Sequence, residues 1–236
     1  TLLKGGDNVV TSEDLYGGTT RLLTKIFANF NITANFVQAT NDEAWKKAMS
    51  NKNVKLCLIE SPTNPLLQIV DISKICAEAK KRRIVSVVDN TFATPVFQRP
   101  LLLGADISLH STTKYIGGHS DVIGGVAVTN DGTLKEKLDF ARKAMGLNPS
   151  PFDVWLSARG LKTLPIRMEQ HQKNATAIAA LLKKAPMVET VYYPNFGGMV
   201  SARFKKKAQA LAFIKGLKLF TLAESLGGVE SLIEHP

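Results

Sequence analysis

Short apolar strands alternate with helix-like stretches along the first two-thirds of the chain, and the strands end on acids or hydroxyls. Val54 to Glu60 and Arg83 to Asp89 each end in a carboxylate, and Ile107 to Ser111 ends in a hydroxyl. Around them the spacing predicts a strand over 32–37 and another over 122–129. It predicts helices over 20–30, after a turn at Tyr16-Gly17-Gly18, and over 42–49, with Trp45 and Ala48 inward and Asn41 or Asp42 as cap. A further helix over 71–80 is capped by Asp71. Near-continuous apolar strands separated by helices give an α/β fold with a parallel or mostly parallel sheet, covered on both faces. Ligands of such sheets sit outside the carboxyl ends of the strands, where Glu60, Asp89 and the stretch after Ser111 all fall. From Phe152 to Lys184 the pattern is helical, with a break at Pro165. Strand-like segments at 188–193, 199–204 and 218–222 follow, with a helix over 208–217. This predicts a large domain over 1–164 and a smaller α+β domain over 165–236.

Composition narrows the function classes. The chain has 236 residues, 44% of them hydrophobic and 21% charged, which excludes global disorder. No apolar run reaches the roughly 18–20 residues of a bilayer span, so no membrane partner is expected. The first residues lack a basic head and apolar core, so no secretory leader is expected. Cys57 and Cys76 lie in apolar-periodic segments and read as buried free thiols, in keeping with a reducing cytoplasm. The formal charge is +10, but Lys80-Lys81-Arg82-Arg83, Lys183-Lys184 and Lys205-Lys206-Lys207 are short, scattered clusters without interleaved aromatics. They read as solvated helix faces rather than a nucleic-acid stripe. No metal is expected.

Four motifs carry chemistry. In His110-Ser111-Thr112-Thr113-Lys114-Tyr115-Ile116-Gly117-Gly118, a lysine follows a strand end, with hydroxyls before it and glycines after. Desolvation lowers a lysine pKa toward a nucleophilic amine, and Ser or Thr hydroxyls donate to phosphate without adding charge. A capped loop with a solvent lysine is the plainer reading. Val87-Val88-Asp89-Asn90-Thr91 ends a strand in an aspartate that needs a cationic or donor partner. The pyridinium N–H of pyridoxal 5′-phosphate (PLP) is one such partner; a helix cap or ion pair is another. In Glu60-Ser61-Pro62-Thr63-Asn64-Pro65, two prolines bracket Asn64, whose amide can donate to a ring oxygen or sit in an ordinary turn. Asp14-Leu15-Tyr16-Gly17-Gly18-Thr19 sets a tyrosine before a Gly-Gly turn, where it can stack on a ring or simply pack. Together, at strand ends of one α/β domain, they match what PLP requires.

On these residues the chain resembles the Cys/Met-metabolism family of PLP enzymes, from Asp7 to the C-terminus. The most specific block runs from Gly104-Ala105-Asp106 through Lys114-Tyr115 to Gly117-Gly118-His119-Ser120-Asp121-Val122. Ser61 to Pro65, Val88 to Phe92 and Leu222-Ala223-Glu224-Ser225-Leu226-Gly227-Gly228 support it. The resemblance implies a PLP-dependent transferase-like fold of type I. It implies that Lys114 forms the Schiff base and shuttles protons, that Asp89 pairs with the pyridine nitrogen, and that Asn64 donates to the ring hydroxyl. Ser111 and Thr113 match phosphate-contacting hydroxyls. Tyr16 matches the ring-stacking tyrosine, which also acts on the substrate amine or leaving group. Glu224 and Ser225 fall in the substrate-facing loop, and Arg21 at the distal end of the site.

Two positions favour a subfamily. Methionine γ-lyases of the family carry cysteine where this chain has Gly18, and lack the acid at Glu224; bacterial β-lyases carry an aromatic there. An acid at 224 suits the distal ammonium of an amino-acid substrate. The resemblance therefore implies γ-elimination of L-cystathionine to L-cysteine, 2-oxobutanoate and ammonia. The alternatives are γ-replacement on an O-acylhomoserine with cysteine, β-elimination, and a non-catalytic scaffold. A cytoplasmic homotetramer, a dimer of dimers, is also implied. Family members have a phosphate loop and a tyrosine and arginine for the neighbouring subunit before the equivalent of Thr1, and a carboxylate-binding arginine after that of Pro236. They also have a longer polar segment where Asn195 and Phe196 adjoin here. A longer parent chain is expected, with an intact mass above 25.7 kDa by mass spectrometry.

Overall fold

The structure, a computed structural model, describes residues 2–236. In chain order the strands are β1 (Asn8–Ser12), β2 (Thr33–Val37), β3 (Val54–Glu60), β4 (Val85–Asp89), β5 (Ile107–Ser111), β6 (Gly125–Val128), β7 (Val188–Tyr192), β8 (Ser201–Phe204), β9 (Thr221–Leu222) and β10 (Leu232–Ile233). The α-helices are α1 (Gly17–Arg21), α2 (Asp42–Ala48), α3 (Ile72–Lys81), α4 (Thr94–Phe97), α5 (Gly132–Ala144), α6 (Pro151–Leu161), α7 (Leu164–Leu182) and α8 (Lys207–Gly216). Two compact units emerge. Thr1–Asn90, Gln98–His110 and Val126–Pro149 form the first; Thr91–Phe97, Ser111–Gly125 and Ser150–Pro236 form the second.

The expected α/β class is what the chain adopts. A six-stranded sheet has the order β2-β1-β3-β4-β5-β6. The pairs β1–β2, β1–β3, β3–β4 and β4–β5 are all parallel. From β1 the chain goes to one side to make β2, then to the other to make β3. The gap between β1 and β3 is therefore a topological switch point, the place where open α/β sheets bind ligands.

Local chemistry explains the covering helices. In α3, Ile72, Ile75, Cys76 and Ala79 recur at helical spacing and are all buried. Asp71 caps it, accepting from Lys74 N–H at 3.0 Å. The basic run at its end stays exposed. On α2, Asn41 is the cap and accepts from Ala44 N–H at 3.0 Å. Trp45 is fully buried, and its Nε1 donates to Ala39 O at 3.0 Å. Trp45, Met49, Ile59, Ile75 and Val88 belong to one buried cluster with Cys57 and Cys76. Burial raises the Cys57 thiol pKa well above its ordinary value, with Cys76 adding to it, and burial raises Cys76 to about 11. Both thiols are inert in this setting.

Three readings change. The helix expected over 20–30 is three short pieces: α1, a π-helical turn (Leu22–Ile26) and a 3₁₀ turn (Phe27–Phe30), ending at Asn31 in the left-handed region. β1 and α5 were given no element from sequence. β1 has only two apolar residues among five, yet it lies inside the sheet, with Val9, Val10, Thr11 and Ser12 all buried. α5 carries charges around much of its surface and buries only Ala141, so its apolar stripe is faint.

In the second unit the helical stretch is α6 and α7, with Pro165 in the first turn of α7, where its missing N–H costs nothing. Ser150 caps α6 by accepting from Phe152 N–H at 3.1 Å. β7 and β8 pair antiparallel, and β9 and β10 pair parallel. Residues 91–97, 111–125 and 150–164, grouped with the large domain in the sequence reading, cluster instead with this unit. The reason is close packing on the Lys114 turn. A Cβ on Gly160 would lie 2.3 Å from Ile116 O, and Arg167 donates to Tyr115 O at 2.7 Å and Gly160 O at 2.8 Å.

Replacing Trp45 with alanine is expected to lower stability by about 3–5 kcal/mol in a urea melt, because it empties the centre of the core. His110, on β5, is buried; its Nε2 lies 3.1 Å from Ser108 Oγ, and its Nδ1 has no protein partner among the described residues. Burial pushes its pKa down from 6.5 to about 4. The unfolded chain therefore takes up the proton first, and this contribution to stability is lost as pH falls from about 6.5 toward 4. Urea melts at pH 7 and pH 5 are expected to show a smaller pH-dependent loss in His110→Gln than in the parent.

Candidate active site

The carboxyl ends of β1, β3 and β4 in the first unit carry Tyr16, Asn64 and Asp89. Beyond β1, the chain turns at Asp14 and enters α1 at Tyr16, whose side chain is exposed. A Cβ on Gly18 would lie 2.4 Å from Tyr16 Cε1, so the ring occupies the space that a side chain at 18 would fill. Beyond β3, residues 61–65 form the proline-bracketed turn, with cis peptides at Ser61-Pro62 and Asn64-Pro65. Asn64 is half-buried there. β3 and β4 pair with Glu60 in register with Asp89, which puts two acids on adjacent strand ends. Arg21 ends α1 and is exposed, with no side-chain bond among the described residues.

Bonds between neighbouring loops fix this end of the sheet. Glu60 is buried and accepts from Tyr16 N–H at 3.0 Å. Burial raises its carboxyl pKa well above the usual range, the charge of Asp89 adds to this, and the Tyr16 N–H opposes it. Asp14, also buried, accepts from the Thr63 hydroxyl and from Leu66 N–H at 3.3 Å. Asn90 and Gln98 brace the next loop: Gln98 Nε2 donates to Asn90 Oδ1 at 2.8 Å and to Ser61 O at 2.7 Å.

In the second unit, Lys114 sits in a five-residue π-type turn, Thr112–Ile116, and is itself outside the helical region (φ −97°, ψ −129°). Its Nζ donates to Ser225 Oγ at 3.0 Å. Burial holds its pKa below the ordinary lysine value, against the opposing pull of Glu234 and Glu224. Ser225 has φ +101°, a strained value for a residue with a side chain, at the point where its hydroxyl meets the amine. A Cβ on Gly227, at φ +82°, would lie 2.4 Å from Tyr115 N, so this loop can approach the lysine turn only with glycine there. Ser111 N–H donates to Thr91 Oγ1 at 2.9 Å. Thr113 Oγ1 accepts from Gly124 N–H at 3.0 Å, and its own hydrogen has only a long 3.4 Å contact to Gly124 O. That hydrogen is available to a stronger acceptor.

The predicted residues thus fall into two sets. Tyr16, Asn64 and Asp89 stand on neighbouring strand ends of the first unit, and Lys114 with Glu224 and Ser225 in the second; Arg21 joins neither by a bond. Asp14, Glu60 and Thr63 were given no role from sequence, although each lies within the motifs that were. The signal available was an acid at each motif's start, two residues before Tyr16 and four before Asn64. The donor types fit PLP residue by residue: a desolvated amine, a strand-end carboxylate, an amide in a rigid turn, an exposed aromatic face and hydroxyls.

Comparison with known proteins agrees. Residues 1–236 match the description "Cys/Met metabolism PLP-dependent enzyme". A cystathionine gamma-lyase of Dictyostelium discoideum is 48% identical over the whole chain, and a cystathionine beta-lyase of Coxiella burnetii is 47% identical. A solved cystathionine gamma synthase from Xanthomonas oryzae pv. oryzae, in complex with cystathionine, superposes with a TM-score of 0.95 at 44% identity over all of this chain. In each case this chain spans 65% of the relative's length. The chain belongs to the Cys/Met metabolism PLP-dependent enzyme family.

Proposed function

We propose that this chain carries the PLP-binding core of an enzyme that cleaves L-cystathionine at its γ-carbon, giving L-cysteine, 2-oxobutanoate and ammonia. When bound, PLP supplies an electron-poor ring that stores the negative charge left at the substrate α-carbon. Lys114 Nζ would move the protons of the substrate α- and β-carbons one at a time, delivering each before it takes the next, the last to the departing sulfur. Its lowered pKa makes the free amine available for this work. Ser225 aims it, through the 3.0 Å bond. Asp89 would hold the ring nitrogen protonated, Asn64 would donate to the ring oxygen, and Ser111 and Thr113 would hold the phosphate. Tyr16 would lie against the ring face and guide the substrate amine. Arg21 and Glu224 receive the distal end of the substrate.

The observation that carries the γ-carbon reading is Glu224, directly before the serine that meets Lys114 and felt electrostatically by that amine. A carboxylate there suits a substrate whose far end bears an ammonium. Gly18 sets the chain apart from methionine γ-lyases, and a side chain there would meet the Tyr16 ring. The relatives favour a second reading as well. They carry the names of γ-lyases, γ-synthases and β-lyases at nearly equal identity, and a γ-synthase uses the same set to accept a thiol instead of water. A cytoplasmic homotetramer acting on a small amino acid, with no nucleic-acid or membrane partner, completes the proposal. Among the described residues no helix is long and apolar enough to cross a membrane.

The test is the keto acid released from L,L-cystathionine by the full-length protein with PLP. The expected product is 2-oxobutanoate, lost in Lys114→Ala; Glu224→Gln is expected to raise KM by about fivefold, the size of a partly solvated ion pair. Pyruvate would place cleavage on the β side and overturn the γ-carbon reading. Cystathionine formed from an O-acylhomoserine and cysteine, with no keto acid from cystathionine itself, would favour the synthase.

A further inference from the structure

The switch point between β1 and β3 poses a mechanical problem. The β1–β3 ladder ends at Thr11 opposite Leu58, before either loop begins. Beyond it the sheet offers nothing to hold Tyr16 at a fixed distance from Asn64, although a ring ligand lying there must meet both. Two buried acids bridge the gap, each rooted in one loop and bonded to the other. Asp14, on the Tyr16 side, accepts from the Thr63 hydroxyl and from Leu66 N–H at 3.3 Å. Glu60, on the Asn64 side, accepts from Tyr16 N–H at 3.0 Å. Neither acid has a cationic partner among the described residues, so these buried carboxyls serve neutral donors. That is an expensive arrangement if loop closure were its only result.

We propose that Asp14 and Glu60 form a reciprocal clasp across the β1–β3 switch point, with Thr63 as its pin, and that the clasp sets the position of Tyr16 relative to Asn64 for the bound ring. All three are positioning residues; none needs to touch the ligand. Thr63 is suited to the part. It is fully buried, and besides donating to Asp14 its hydroxyl accepts from Gln68 N–H at 2.9 Å. Its own N–H donates to Gln68 O at 3.0 Å, and its carbonyl accepts from Leu67 N–H at 3.0 Å, so the Asn64 turn is closed on the residue that the clasp holds. Glu60 needs no negative charge for its share. A neutral carboxyl still accepts through its carbonyl oxygen, in keeping with the upward shift of its pKa.

The inference rests on the PLP reading, and the experiment separates the two. Full-length parent, Thr63→Val, Thr63→Ser, Glu60→Ala and Glu60→Gln would be saturated with PLP. The visible circular dichroism per mole of bound PLP would be measured, with the PLP dissociation constant and the melting temperature of the cofactor-free protein. The clasp predicts that Thr63→Val and Glu60→Ala weaken PLP binding about tenfold, as expected for a lost buried hydrogen bond, and at least halve the dichroism per bound mole. It predicts that Thr63→Ser and Glu60→Gln restore both. A purely structural role would lower the melting temperature but leave the dichroism per bound mole at the parent value, and that result overturns the clasp. Should Thr63→Val fail to fold, the Glu60→Ala and Glu60→Gln pair decides alone. A parent protein with no Lys114-dependent visible band overturns the PLP reading itself, and the clasp with it.

Discussion

Parallel pairing of β3 with β4 sets Glu60 beside Asp89, and much of the candidate site follows from that juxtaposition. Two carboxyls on adjacent strand ends, one of them fully desolvated, do not both ionise readily. Burial pushes the Glu60 carboxyl pKa well above the usual range, and the charge of Asp89 adds to it. Asp89 is only partly buried beside it. Glu60 turns its oxygen to the Tyr16 N–H instead, and so ties the β1 loop to the β3 loop. A single register choice thus sets two chemically similar residues side by side in different surroundings.

The second unit solves a different problem, holding a partly buried lysine against a serine hydroxyl. The turn that bears Lys114 departs from helical geometry at the lysine itself. Its carbonyls are held by Arg167, whose guanidinium donates to Tyr115 O and Gly160 O, with a longer contact to Ile116 O. A planar fork with several donors suits this better than an ammonium would. Glycines at 118, 160 and 227 leave room for the guanidinium, the α6 backbone and the β9–β10 loop to close on the turn. The strained backbone at Ser225, with φ +101°, is maintained by this packing.

Much of the architecture was legible because it depends on short-range pattern. β3 and β5 have the bounds that their apolar runs predicted, and Asn41 and Asp71 cap the helices that follow them. The failures have physical causes. β1 owes its place to the strands on either side, not to its own two valines. The stretch after Tyr16 contains enough helix-forming residues for one helix, but it is divided into three helical geometries before the left-handed turn at Asn31. Residues 150–164 read as an extension of the large domain, because nothing local reveals that Gly160 abuts the lysine turn.

By itself the sequence determined the α/β class, the caps of α2 and α3 and the buried thiols, since these rest on periodicity, residue type and motif spacing. Only the tertiary structure decided how the candidate site residues are held. That Asp14 reaches Thr63, that Glu60 reaches Tyr16, and that Ser225 meets Lys114 are bonds spanning 44 to 111 residues of chain. The strand order β2-β1-β3, which makes the β1–β3 gap a switch point, is likewise set by packing rather than by any local signal. Local sequence fixes which groups are available; the fold, by burying some and exposing others, fixes their protonation and their partners.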